Sequence, residues 1–195
     1  MPNLTTVPSI YVPGKVRTVQ SPYYDTYVVQ QGAAVGGAQG QVLMFNNVQG
    51  TVNATYPNGV PANITNMAQA MQLQGGESFI LGALRLVPIG MAEIDLVTFM
   101  QNFNVKLIIG AGNFAYSDAP PEYWAGGAGS FTPGTGTASA NGFADPNAIV
   151  AFDIDPILLT DGVNFKVKLE GTPFNASALF WLRVYLDGQK TQPAQ

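Results

Sequence analysis

Two runs decide the fold: Asn164-Phe-Lys-Val-Lys-Leu-Glu170 and, after the turn Gly171-Thr-Pro-Phe-Asn175, Ala178-Leu-Phe-Trp-Leu-Arg-Val-Tyr-Leu-Asp187. In the first, Phe165, Val167 and Leu169 alternate with Asn164, Lys166, Lys168 and Glu170. A period of two puts each set on its own face of a strand. In the second, Phe180, Leu182, Val184 and Leu186 make another apolar face. Asp187-Gly188 reads as the turn that closes it.

Upstream, the same chemistry recurs in shorter pieces. Ala148–Ile154 reads as a strand stopped by Asp155-Pro156, and Asn104–Ile109 as another. Ser78–Val87 is apolar on both faces, which predicts a strand packed on both sides and ended by Pro88. Residues 23–30 are rich in aromatic and β-branched types and predict a strand. Gln41–Val48 predicts a second strand and Thr51–Tyr56 a third.

Two segments read as helix. Met91–Phe103 has Ile94, Val97 and Met100 or Gln101 at helical spacing, with Glu93 and Asp95 in the first turn, where the dipole favours anions. Ile64, Met67, Ala68 and Met71 also follow helical spacing. Residues 110–147 are rich in Gly and Ala and predict a long loop, of the kind that is usually functional. The result is an all-β fold: an antiparallel β-sandwich of jelly-roll type, with one or two short helices and a long Gly/Ala-rich loop. Residues 23–195 form that single domain. Residues 1–22, with Pro2, Pro8, Pro13 and Pro22, predict an extended arm.

Composition removes most enzymology. The 195 residues include no Cys and no His, so disulfides, thiolate zinc sites and histidine-based nucleophilic catalysis are excluded. Charged residues make up only 10% of the chain and the net charge is −4. A typical soluble domain carries about 25% charged residues. The surface is therefore covered by neighbours, polar but uncharged, or turned to a membrane. No uncharged apolar run approaches the ~20 residues of a membrane helix. The N-terminus lacks the charged and apolar regions of a signal peptide. The basic residues are scattered, which argues against a nucleic-acid footprint.

The acids that might carry chemistry are few. Asp153 and Asp155 share a strand face, and the plainer reading is two solvated acids at a strand end rather than a cation site completed by Asp145 or Asp161. Asp118 and Glu122 flank Pro120-Pro121 with nothing to mark a pocket. Four Asn-X-Ser/Thr sequons, at Asn3, Asn53, Asn63 and Asn175, are expected by chance in a chain this rich in Asn and Thr. No catalytic, cofactor or metal residue is assigned. Tyr123, Trp124 and Trp181 are aromatic enough for a sugar platform, so a carbohydrate-binding or adhesion module is the alternative reading.

The order of parts resembles a known family. Ser78-Phe-Ile-Leu-Gly-Ala-Leu-Arg-Leu-Val-Pro88 precedes a short helix, then Asn104-Val-Lys-Leu-Ile-Ile-Gly110, then Pro120-Pro121. Next come Trp124-Ala-Gly-Gly-Ala-Gly129, Asp161-Gly-Val-Asn-Phe-Lys-Val-Lys-Leu-Glu170 and Arg183-Val-Tyr-Leu-Asp-Gly188 with Pro193-Ala-Gln195. Over residues 75–195 this pattern resembles the single jelly-roll capsid proteins of tailless, membrane-containing icosahedral phages. The resemblance rests on hydrophobic pattern and turn residues. It implies a virion structural protein that assembles with itself and a second capsid protein, has an internal membrane towards one face, and uses no cofactor. Apolar groups in the arm (Ile10, Tyr11, Val12) and in the loop (Tyr123, Trp124, Phe131) are the candidate assembly contacts.

Overall fold

The computed structural model describes residues 16–110, 112, 115–124, 151–152 and 157–193. Nine antiparallel strands fall in these residues: β1 (Val16–Gln20), β2 (Tyr23–Val29), β3 (Gln41–Met44), β4 (Ser78–Ile89), β5 (Phe103–Ile109), β6 (Ala115–Ala119), β7 (Ile157–Thr160), β8 (Phe165–Gly171) and β9 (Phe180–Pro193). One helix, α1 (Glu93–Asn102), joins β4 to β5, and short 3₁₀ turns occupy Gly37–Gln39 and Pro121–Trp124.

The strands form two sheets. One runs β1-β9-β4-β7, with β2 also on β9, and the other runs β3-β8-β5-β6. The pairs are nested: β5 with β6, β4 with β7, β3 with β8, β2 with β9. Successive pairs belong to alternate sheets, as they would if one long hairpin were folded over on itself. The inner faces meet in a single core that includes Phe79, Leu81, Leu84 and Leu86 from β4, Phe165, Val167 and Leu169 from β8, and Phe180, Leu182, Val184 and Leu186 from β9. The alternation in the two deciding runs therefore selects the core residues, and the all-β sandwich expected from it is the fold.

β1 and β2 are halves of one edge. Val16 faces Pro193, Gln20 faces Gln189, Tyr23 faces Leu186 and Val29 faces Phe180, with no slip in register between the halves. Only Ser21-Pro22 interrupts the ladder, because Pro22 has no amide to donate. Residues 16–20 of the expected arm thus belong to the sheet, and residues 1–15 lie outside the described residues.

Several boundaries differ from the sequence reading. β9 does not stop at Asp187-Gly188 but runs on to Pro193. At Gly188 a Cβ would stand 2.0 Å from the Ile80 carbonyl oxygen, so glycine serves close strand approach here and not a turn. β4 continues through Pro88, opposite Leu182. β7 flanks β4 only at Ser78–Leu81 and Ala151 bridges Ala83, so a missing amide at Pro88 on that side breaks no ladder among the described residues. The outer face of β4 is half-buried rather than enclosed.

Residues 51–56 and 64–71 form turns and loops instead of strand and helix. In the first, the Asn53 side chain accepts from the Thr55 and Tyr56 amides, an Asx turn. In the second, the Asn66 side chain accepts from the Tyr24 amide and donates to the Pro22 carbonyl, while the Thr65 hydroxyl donates to the Tyr24 carbonyl. These bonds cover the outer edge of β2, which would otherwise present unpaired backbone groups. Of the expected strand at 148–154 only Ala151 and Phe152 are described, and Ala151 makes an isolated bridge. Most of the Gly/Ala loop lies outside the described residues. β6 falls within the part of it that is described, and β6 and β7 are strands that the periodicity did not reveal.

Candidate functional site

Three carboxylates sit inside the fold. Asp25 on β2 is 1% exposed and accepts from the Thr26 amide at 3.0 Å, the Phe45 amide at 2.6 Å and the Asn47 side chain at 3.1 Å. Burial pushes its carboxyl up to about 6, against the pull of those donors. Phe45 holds a positive φ of 67°, so the bond to Asp25 pins a strained turn at the end of β3.

Glu77, just before β4, takes a hydrogen bond from the Tyr23 hydroxyl at 2.9 Å and an ion pair from Lys190 at 2.7 Å. Burial and the neighbouring carboxylate push the Tyr23 phenol far above its usual range. Asp95 turns inward from α1 and accepts from both the amide and the hydroxyl of Ser177, at 2.9 and 2.8 Å. That contact fixes the helix by its Leu96 and Phe99 side, leaving Ile94 65% exposed, so the stripe expected through Ile94 and Val97 is rotated. Each buried acid is met by donors, and among the described residues none faces a second acid. Among the described residues no group of three or more acids could hold a metal.

The outer sheet faces differ in character. On the second sheet, Lys106 and Lys168 both pair with Glu170, and Lys106 also meets Asp118 at 3.2 Å. These lysines hold the Glu170 carboxyl below its usual range, and Glu170 with Asp118 holds the Lys106 amine above its own. On the first sheet, Arg85 clasps Asp187 through two nitrogens and lies 4.7 Å over the Tyr185 ring. Arg183 donates to the Thr26 hydroxyl and to the Asn63 carbonyl.

Two depressions open on the surface. One, about 590 Å³, is lined by amide side chains such as Gln39, Gln41, Asn102 and Asn104 together with Glu170. The other, about 500 Å³, is lined by Tyr116 to Ala119 of β6, by Tyr123 and Trp124, and by Ala151 and Phe152. In it four rings form a chain. Tyr116 lies edge-on to Phe152 at 6.0 Å, Phe152 is 6.2 Å from Trp124, and Trp124 is 4.9 Å from Tyr123. Phe152 is tied to the first sheet by its amide, which donates to the Gly82 carbonyl at 2.7 Å.

Tyr123 and Trp124 are thus brought together, but they serve differently: Tyr123 is 51% exposed and Trp124 only 2%. Trp181 lies apart, on the outer face of β9 over Gly90. Ile10, Tyr11, Val12 and Phe131 lie outside the described residues, as do Asp145, Asp153 and Asp155. Sequence reasoning missed Asp25 and Glu77 and placed Asp95 only as a dipole partner of its helix. Apart from the neighbouring Thr26 amide, the donors to Asp25 and Asp95 (Phe45, Asn47 and Ser177) are remote in the chain. Compared with family models, with characterised proteins and with solved structures, the chain matches none.

Proposed function

We propose that the chain is a capsid subunit: a jelly roll that assembles with copies of itself and a second capsid protein into an icosahedral virion shell. The observation that carries this reading is how few charges the chain has and how many of its acids are buried or paired. Of twelve acids, Asp25, Glu77 and Asp95 are buried, and Asp118, Glu170 and Asp187 are paired with Lys or Arg. A free-standing domain relies on net and mixed charge to stay dispersed. Protein interfaces exclude charge from their centres, so a chain covered by neighbours needs little of it.

The nested strand order supports the same reading, since it is the order expected of a double-sheet jelly roll, a fold used by capsid proteins among others. The resemblance in residues 75–195 points the same way. The mechanism is assembly through complementary faces under closed symmetry, with no reaction performed.

Light scattering coupled to size exclusion, over protein concentration and ionic strength, tests the reading. Discrete oligomers, or growth into large particles, are expected. A strict monomer up to about 1 mM protein, where even contacts of about 4 kcal/mol are half-populated, would overturn assembly of this chain with copies of itself.

A further inference from the structure

The aromatic depression beside β6 contains Tyr123 and Trp124, two of the candidate assembly contacts, together with Tyr116 and Phe152. Its floor is Trp124 and Phe152, and its two rims are Tyr116 and Tyr123, each about half exposed at 52% and 51%. The indole Nε1 of Trp124 and the hydroxyl of Ser117 are buried with no hydrogen-bond partner among the described residues. Buried polar groups are usually paired, so two such atoms in the wall residues of one depression are unusual. The volume, about 500 Å³, lies within the usual range for small-ligand pockets.

The chemistry of the lining narrows the ligand. The four rings pack edge-to-face or tilted on one another in a row, so they make a shelf and not a box of rings around a central gap. A quaternary ammonium ion needs such a box. The Asp118 carboxylate, 43% exposed, lines the depression and stands 3.2 Å from Lys106, so its charge is met and its oxygens are left as acceptors for hydroxyl donors. A neutral molecule with one apolar face and several hydroxyls fits this surface: the C–H face lies on a tyrosine ring and the hydroxyls reach the Asp118 carboxylate. We infer that the depression formed by Tyr116, Asp118, Tyr123, Trp124 and Phe152 is a binding site for a pyranose sugar. This inference goes beyond the assembly reading and takes Tyr123 and Trp124 as ligand-binding residues rather than subunit contacts.

The two tryptophans supply the test. In a ¹⁵N–¹H spectrum the chain gives two indole signals, which a Trp181→Phe variant assigns. The full chain is titrated with methyl β-D-glucopyranoside, methyl β-D-galactopyranoside, methyl α-D-mannopyranoside and N-acetylglucosamine. The expected result is a saturable shift of the Trp124 signal with at least one sugar, half-complete at about 10 mM, while the Trp181 signal stays in place. Tyr123→Ala and Asp118→Asn should each weaken binding at least about fivefold. Lys106 keeps Glu170 as a partner in the second variant, and an unmoved Trp181 signal reports that each variant is folded.

No saturable shift with any of the four sugars up to about 100 mM would overturn the inference. So would an undiminished shift in Tyr123→Ala, or equal movement of both indole signals. Choline, or a peptide of residues 1–15, shifting the Trp124 signal where no sugar does would also overturn it, assigning the shelf to a cation or to the proline-rich arm.

Discussion

The backbone amide of Phe45 donates to the buried carboxylate of Asp25 at 2.6 Å, joining the turn after β3 to the middle of β2. The carboxyl titrates near 6 in the fold and near 3.8 in the unfolded chain. Between those values the folded state holds a proton that the unfolded state has released. Stability from this group is therefore full below about pH 3.8 and is lost as pH rises through about 6. Two pH units of separation correspond to about 3 kcal/mol. Denaturant titrations of wild type and Asp25→Asn at pH 4.5, 5.5 and 7 isolate the effect. The advantage of wild type over the variant should shrink by about 2 kcal/mol across that range. A constant difference would mean that Asp25 is ionised throughout. Glu170 acts in the opposite sense: its lowered carboxyl adds stability that is lost as pH falls through its folded value, and this background cancels between the two proteins.

Glu77 is 7% exposed and Lys190 is its cationic partner. Removing the lysine leaves a buried carboxylate held only by the Tyr23 hydroxyl. Lys190→Met should cost about 3 kcal/mol, because an unpaired buried charge is far more expensive than a missing pair. The double variant Glu77→Gln, Lys190→Met should regain more than half of that loss. Equal losses in the single and double variants, measured by urea unfolding, would show that solvent already screens the pair.

Gly188 shows where the sequence misleads. Its Cβ would lie 2.0 Å from the Ile80 carbonyl oxygen and 2.7 Å from the Phe79 ring. Gly188→Ala should therefore destabilise by about 3 kcal/mol through forced separation of β4 and β9. An alanine protein with an unchanged melting temperature would mean that the ladder yields at no cost.

The strands legible in the sequence are those whose two faces meet different surroundings. β8 and the first half of β9 have core on one side and water or ion pairs on the other, so Phe165 to Leu169 and Phe180 to Leu186 alternate cleanly. β4 is harder, because Ile80, Val87 and Ile89 are apolar on the outer face too. The second half of β9 was hidden because Asp-Gly is locally a turn signal, and strand pairing overrides it. The helical spacing of Ile64, Met67 and Met71 was real, and Ile64 and Met67 are buried. Thr65 and Asn66 spend their side chains on the edge of β2, and Met71 adopts a φ of 57°. Of the aromatic shelf, Tyr123 and Trp124 were legible as a pair, but Tyr116 and Phe152 join them only through strand pairing and the Gly82 contact.

The continuous register of β1 and β2 along β9 separates two roles that a single arm of 22 residues would merge. Residues 16–20 pair with Gln189–Pro193, and the Thr18 and Thr191 hydroxyls meet at 3.4 Å. Residues 1–15 carry Ile10, Tyr11 and Val12 and precede the sheet. Deleting residues 1–15 should leave the melting temperature within about 2 °C of wild type while reducing oligomer or particle formation. Deleting residues 1–20 also removes five cross-strand pairs, worth about 1–3 kcal/mol together, and bares the end of β9. Its melting temperature should fall by several degrees. Calorimetry and light scattering on the two truncations read stability and assembly separately. If the shorter deletion melts early, residues 1–15 support the fold. If both assemble like the full chain, the arm has no part in joining subunits. The pattern expected of a capsid arm is loss of assembly at the first cut and loss of stability only at the second.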